Sequence, residues 1–438
     1  MLKAIDQNIP SVNIAEARFP SPFRSGLEYN APARGTWNIV HTGMLIPEAH
    51  QIFVCARGCL RGVILTAAEM NAMDRMSWVS VSENDLYDGT MEQDVIDGVT
   101  EILNRIEKRP PCVLLFLSCV HLFAGCDFKM IIERLGEIFP DVHFTDCYMT
   151  PTMRKTVTPD CLMRKQLYEP LKAVKKDTKT AAVIGCDRPT DKASELVGLI
   201  STAGFKLTDI TECKTYGEYL DIAKSSLNIT YIPAAKSAGD ELEKRFGTKH
   251  LYIPLSYGYE EITDCCKRLC GALEIDTPDF SENIAKAEKS LKNALGIIGD
   301  TPIAVDYTAT PRPLGLCRLL SEHGFNVKRC YADVFIDEEQ NDFEVLARKF
   351  PDLEIFPTVN VKMRFAADCV QKEKYLAIGQ KAAYFCGTDN FVNIVAGGGL
   401  YGFEGISKIA ELMTDAFYEP KDRRTVIQYK GLGCESCL

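Results

Sequence analysis

Apolar runs without polar alternation recur along this chain, and amphipathic segments follow them. The runs AAVIG, within residues 180–213, and IAVDY, within residues 301–333, are typical of strands covered on both faces. Each precedes a polar loop with Pro and Thr, an amphipathic segment, a Gly-Phe turn and a second apolar run. Glycine in these turns indicates a helix end, where a left-handed residue is needed. The two segments predict the opening strand–helix–strand unit of a doubly wound domain, present twice.

The same alternation of strand and helix patterns extends over the rest of the chain. The pattern predicts an α/β fold of three doubly wound, Rossmann-like domains around a central cleft, with a linking helix over 281–297. The domains are expected at 1–178, at 179–298 and at 299–438, the last with a C-terminal helix and a Cys-x-x-Cys tail. Predicted helices over 92–109 and 128–139 accompany predicted strands over 51–54, 112–118, 143–148, 228–235, 250–255, 353–357 and 382–386.

Charge and hydropathy exclude some classes of partner. The formal net charge is −10, so nucleic acid, which needs clustered Lys and Arg, is not expected as the main partner. The sequence contains no run of 18 apolar residues, so no membrane span is predicted. The N-terminus lacks the apolar core of a signal peptide. A cytoplasmic protein is expected.

Cysteine content is the unusual feature of the composition. The chain has 18 cysteines. The cytosol keeps thiols reduced, so the content favours an anaerobic source or metal ligation over a disulfide framework. Many of these cysteines are expected to be small core residues. Cys266 and Cys270, one helical turn apart, are expected to belong to a core face.

Four cysteines lie at predicted strand-to-helix loops of the first domain. Cys55 and Cys59 in CARGC follow the apolar run QIFV, and Cys59 begins a predicted helix, where free N–H groups favour a thiolate or an anionic cluster. Cys119 and Cys126 in SCVHLFAGC follow the buried strand CVLLFLS. Ligands of open α/β sheets lie outside the carboxyl ends of the strands. Four thiolates suffice for one [4Fe–4S] cluster, although four buried structural cysteines would give the same pattern.

The motifs around these cysteines resemble those of the nitrogenase component 1 family. RGCLRG, with Cys59, is similar to the Gly-Cys that supplies an interface cluster ligand in that family. In SCVHLFAGCDF, Cys119 matches a ligand, Gly125 and Asp127 match the family's Gly and second Asp, and Cys126 replaces the first Asp. GGLYGFEG, near the C-terminus, resembles the family's Gly-Phe-(Asp/Glu)-Gly helix start.

Departures from the family pattern concern both the cluster and the catalytic cofactor. The chain has no cysteine before Cys55, so we expect Cys55 to replace the family's earlier ligand, with Cys126 or a partner residue completing the set. The family's cofactor histidine would fall at Tyr401, and the cofactor cysteine would fall within 228–233, where there is none. A molybdenum cofactor and dinitrogen reduction are therefore not expected, and a pocket at Tyr401 is expected to be free for an organic substrate or a differently held cofactor.

The resemblance implies the catalytic component of a two-component reductase. An iron–sulfur cluster, [4Fe–4S] or P-cluster-like, would receive electrons from an ATP-dependent nitrogenase-reductase-like iron–sulfur protein and reduce a small-molecule substrate. A homodimer, or a heterodimer with a related subunit, is expected. The alternatives are a non-catalytic scaffold or carrier for metallocluster assembly and, less favoured, a dehydratase-type activator partner.

Several other residues are weaker candidates. His121 and Tyr401 are candidate proton donors. Cys434 and Cys437, in the terminal Cys-x-x-Cys, are less favoured cluster ligands or a redox pair. Arg188 and Arg312, in loops after first strands, could meet a substrate carboxylate or lie solvated. The glycines of 396–403 indicate either an anion site or a tight turn.

Overall fold

Three sheets of mainly parallel strands organise the chain in the computed structural model, which describes residues 8–24, 26, 28, 39–149, 159–368 and 374–428. Each sheet is flanked by helices, as a doubly wound fold requires. The architecture confirms the predicted α/β fold with Rossmann-like domains. The domain boundaries near 178 and 298 remain predictions.

The first sheet has the strand order β3-β2-β4-β5, all parallel. Its central strands are almost entirely buried because helices cover both faces, and Phe53 stacks on Phe116 at a centroid distance of 4.2 Å. Its strands are β2 His50–Ala56, β3 Met76–Val81, β4 Cys112–Ser118 and β5 His143–Met149. Its helices are α1 Ile39–Gly43, α2 Arg57–Glu69, α3 Glu83–Asp88, α4 Met91–Arg105, α5 Cys119–Phe123 and α6 Phe128–Ile138.

The second sheet has the order β7-β6-β8-β9 and is again parallel. Its strands are β6 Thr180–Val183, β7 Lys206–Asp209, β8 Leu227–Thr230 and β9 Lys249–Tyr252. The helices between the last strand of the first sheet and the first parallel strand of the third sheet are α7 Pro159–Gln166, α8 Glu195–Thr202, α9 Tyr216–Leu220, α10 Lys236–Phe246, α11 Tyr259–Leu273 and α12 Ser281–Ile298. The last of these is the predicted linking helix.

The third sheet has the order β1-β12-β11-β10-β13-β14. Strand β1 comes from the N-terminus and pairs antiparallel with β12, so this segment does not join the sheet nearest to it in sequence. The strands are β1 Val12–Asn13, β10 Ile303–Asp306, β11 Val327–Tyr331, β12 Glu354–Phe356, β13 Leu376–Ile378 and β14 Phe391–Val392. The helices are α13 Pro313–Glu322, α14 Gln340–Lys349, α15 Gln380–Cys386 and α16 Gly402–Tyr418.

One predicted strand is wrong. Residues 382–386, AAYFC, lie in helix α15, and the strand of this region is β13. Every residue of α15 is buried, so the stretch AAYFC can be apolar on all sides and carries no helical period.

One apolar core spans the second and third sheets and includes α16, which packs along α12 and also contacts α8 and α11. The C-terminal helix thus fixes the last domain against the second. No helix in the described part of the chain has the length and apolar character needed to cross a membrane.

Candidate functional site

The cysteine loops of the first domain meet at the switch point of its sheet. Strands β2 and β4 are hydrogen-bonded neighbours, with Val54 opposite Leu117, although β3 separates them in sequence. The chain leaves β2 into α2 and leaves β4 into α5 at the same edge. A crevice forms where the strand order reverses, and ligands of such sheets bind there.

Three thiols are brought to this edge. Cys59 is exposed in the first turn of α2, and Cys119 is half-buried as the first residue of α5. Cys55 is buried near the end of β2 and lies within electrostatic range of both. Burial raises the pKa of the Cys55 thiol to about 12, with smaller contributions from Cys59 and Cys119. Cys55 is therefore a neutral thiol unless a metal ion displaces its proton.

Cys126 has different surroundings. It is half-buried, and its N–H donates to the His121 carbonyl oxygen at 3.0 Å, which closes the loop after α5. Burial and the neighbouring Glu92 carboxylate raise the pKa of its thiol. Glu92 also accepts a hydrogen bond from the Asp127 N–H at 2.6 Å. The charged neighbour of Cys126 is thus a carboxylate, whereas Cys55 has two other thiols within electrostatic range, so the structure gives Cys126 less support as a ligand than Cys55.

The described residues of one chain do not supply a complete set of ligands for a metal cluster. Within the described residues, no group of three or more His, Cys, Asp or Glu side chains has the arrangement needed to hold a metal ion. Three thiols at one surface edge nevertheless have the donor chemistry for iron. The space beside Cys59 is open, because a Cβ added at Gly58 or Gly62 would meet no other atom within 4 Å. The arrangement fits a cluster whose ligand set is completed from outside these residues.

Exposed apolar side chains lie on elements that leave this same edge. Phe123 is 74% exposed and Leu122 is 48% exposed on α5, directly after Cys119. Helix α3, which follows the parallel strand β3, exposes Leu86 and Tyr87, the latter by 85%. Sequence patterns did not single out these residues, because their exposure depends on which helix faces are covered. Exposed apolar residues on neighbouring elements are candidates for an interaction surface.

His121 lies beside the thiols but is fully buried. Its Nδ1 is 3.2 Å from the Ser118 hydroxyl, and its Nε2 has no hydrogen-bond partner among the described residues. Burial lowers the pKa of its imidazole, which favours the neutral form. A proton-donor role for His121 remains a prediction.

Tyr401 lies in the packed core. Its ring contacts that of Tyr231 at a centroid distance of 5.4 Å, and its hydroxyl points to the Ile253 carbonyl oxygen at 3.4 Å. The cavity beside Tyr401 has a volume of about 10 Å³, room for about one water molecule. The expected free pocket at Tyr401 is therefore wrong for the chain as described here.

Arg312 and the glycine loop also have internal partners. The Arg312 guanidinium is buried and donates to Glu261 at 2.7 Å and to Asp342 at 2.9 Å, so it is neither solvated nor free for a substrate. Of the two alternatives for the glycine segment, the anion site before α16 is occupied by the Glu195 carboxylate, which accepts from the Glu404 N–H at 3.2 Å. A Cβ at Gly402 would clash with that carboxylate, which explains the glycine.

The remaining sequence candidates divide into three groups. Arg188 is half-buried in the loop after β6. Cys266 and Cys270 are buried core residues, as expected. Cys434 and Cys437 lie outside the described residues. No sequence signal identified Glu195, Glu261 or Asp342, because their roles depend on contacts between distant segments.

Comparison with known proteins gives the family context for this geometry. The model of the family described as "Nitrogenase component 1 type Oxidoreductase" matches residues 40–415. A solved structure described as "Nitrogenase Cp1 at pH 6.5" is similar with a TM-score of 0.67 and 14% identity, over 90% of this chain and 94% of that chain. A second, "Nitrogenase Cp1 at pH 5", has a TM-score of 0.58 and 13% identity, over 91% and 90%. A search of curated proteins found no match.

Proposed function

Because the chain belongs to the nitrogenase component 1 type oxidoreductase family, we propose that it is the cluster-carrying component of a two-component reductase. A separate ATP-dependent iron–sulfur protein would supply the electrons, and a small molecule would be reduced. The observation that carries the proposal is the convergence of Cys55, Cys59 and Cys119 at the switch point of the first sheet.

These three cysteines would hold an iron–sulfur cluster, [4Fe–4S] or P-cluster-like. When bound, such a cluster would supply one-electron transfer chemistry. The chain contributes the two helix starts, where free N–H groups stabilise anionic sulfur, and a buried strand end that fixes Cys55. Cys126 is the weaker candidate because its charged neighbour is Glu92 and not another thiol, and the terminal Cys434 and Cys437 are less favoured still.

The missing ligand would come from a partner chain. The half of the site described here lies at the surface, with Leu122 and Phe123 exposed beside it. Association through this surface would bury those side chains and enclose the cluster at the interface. Since the interior at Tyr401 is filled, the substrate would bind where two chains meet or where the electron donor docks.

Iron analysis of cysteine variants tests the ligand assignment. Anaerobically purified protein should be brown, with about four irons per chain or per chain pair for a [4Fe–4S] cluster. Cys59→Ala and Cys119→Ala should lose most of the iron and the visible absorbance, and Cys55→Ser should lose a large part of both. Cys126→Ala should lose little, and Cys213→Ala, another half-buried cysteine, is the control. Full iron content in the Cys59 and Cys119 variants would refute the assignment.

The exposure of Cys59 also favours a second function, a scaffold or carrier for metallocluster assembly. A cluster held at an open edge can be handed to another protein. Turnover separates the two functions, because a reductase consumes electrons continuously with donor and substrate present, whereas a carrier releases its cluster once per binding site.

A further inference from the structure

A cavity of about 530 Å³ lies between the second and third domains, away from the cysteine loops. Its walls are the start of α11, the outer face of α13 and the start of α14. The volume falls in the range of about 300–1,000 Å³ that is typical of small-molecule sites. Two observations support a ligand site here: the size of this cavity, and the ion pairs made by the charged residues that line it.

Carboxylates outnumber guanidinium groups on the walls by five to two, and both arginines already have partners. Arg312 donates to Glu261 and Asp342, and Arg318 donates to Glu322 and Asp342. Neither guanidinium is therefore left for an anionic ligand, and His323, which also lines the cavity, faces the Glu288 carboxylate at 3.1 Å, so the surplus charge of the walls is negative.

Two carboxylates of the cavity remain outside these ion pairs. Glu260 makes no ion pair among the described residues, and it lies in the first turn of α11, where the helix dipole stabilises its charge. The Glu338 carboxylate accepts a hydrogen bond from the Tyr252 hydroxyl at 2.7 Å, and only the backbone carbonyl of Glu338 contacts Arg312, at 3.0 Å. Tyr257 and Tyr259 add aromatic surface to the same walls, which suits an organic cation.

The arrangement of these carboxylates favours a larger cation over a metal ion. A metal ion needs several ligand atoms converging on one point, and no such group of three or more His, Cys, Asp or Glu occurs in the described part of the chain. We propose that this cavity binds a small organic polyamine, whose separated ammonium groups can reach carboxylates spread over the walls. The proposal does not depend on the iron–sulfur site.

Calorimetric titration of the full chain with spermidine tests the proposal. We expect saturable binding with one spermidine per chain. The double variant Glu260→Gln/Glu338→Gln should weaken binding by about tenfold, since it removes two charge-assisted contacts. Glu107→Gln/Glu133→Gln changes the net charge equally on exposed residues of the first domain and should bind as the wild type does.

Three results would overturn the proposal. One is the lack of saturable binding by a folded protein at millimolar spermidine. Another is equal weakening in the cavity variant and the control variant, which would indicate attraction by net charge alone. The third is displacement of spermidine by MgCl₂ far beyond that by NaCl at the same ionic strength, which would assign the site to a metal ion.

Discussion

The rings of Tyr231 and Tyr401 are in contact, 5.4 Å apart between centroids and inclined by 59°. Tyr401 occupies the position at which the family's cofactor histidine is expected, and Tyr231 lies within the segment at which the cofactor cysteine is expected. Ligands to opposite ends of a multimetal cofactor must stand apart by the length of that cofactor. Two side chains in direct contact leave no such space, and both rings belong to the shared core of the second and third domains.

The first prediction concerns the structural role of Tyr401. Tyr401→Ala should lower the free energy of unfolding by about 3–5 kcal/mol, because it leaves a cavity in the core. Tyr401→Phe should cost about 1 kcal/mol, the value of one modest hydrogen bond. Denaturant titration measures both, with Tyr418→Ala, an exposed tyrosine of the same helix, as control. An unchanged unfolding midpoint for Tyr401→Ala would show that the tyrosine does not support the core.

The second prediction concerns metals. Purified protein should contain iron without stoichiometric molybdenum or vanadium, and it should form no ammonia from dinitrogen even with a competent electron donor. The reason is that the two tyrosines supply neither the thiolate nor the imidazole, and their rings fill the space. Elemental analysis and an ammonia assay are the measurements. One molybdenum or vanadium per catalytic unit would contradict this prediction and reopen nitrogen fixation.

The third prediction concerns association. Phe123→Asp should convert the oligomer to monomer and lower its iron content, because a charge would be buried in the proposed interface beside Cys119. Val334→Asp changes an exposed valine of the third domain, and it should leave both properties unchanged. Sedimentation velocity combined with iron analysis tests this. A wild-type protein that is a stable monomer with an intact cluster would exclude the interface.

The fourth prediction concerns pH. Burial raises the pKa of the Glu339 carboxyl from 4.5 to about 8, and its Oε1 accepts from the Leu314 N–H at 2.7 Å. Between these pH values the folded chain holds a proton that the unfolded chain releases, so this group makes the protein less stable as pH rises from about 4.5 to 8.

Glu339→Gln replaces the protonated acid with a neutral side chain of similar shape. The variant should lack this part of the pH dependence, so its stability relative to the wild type should increase steadily up to about pH 8. Denaturant midpoints from pH 5 to 9 measure the difference. A constant difference over that range would mean that Glu339 is ionised in the folded protein.

The local pattern of the sequence determined much of this protein. Fully apolar runs between amphipathic segments predicted the doubly wound fold, since strands covered on both faces need no polar alternation. The position of Cys59 at a helix start and that of Cys119 directly after a buried strand followed from the same pattern, whereas the short helix α5 that begins at Cys119 was not predicted. Helix α15 was the exception, because burial on all sides removes the periodicity that distinguishes a helix from a strand.

Only the tertiary structure decided which of the candidate residues meet. The order of strands brought Cys55, Cys59 and Cys119 to one edge and left Cys126 beside Glu92. Glu195 reached the start of α16 across 209 residues of sequence, and Arg312 reached Glu261 across 51. Such contacts depend on how whole helices and sheets pack, and the free energy that selects them comes from burial summed over the core. Such contacts therefore cannot be predicted from the residues that neighbour each partner in the sequence.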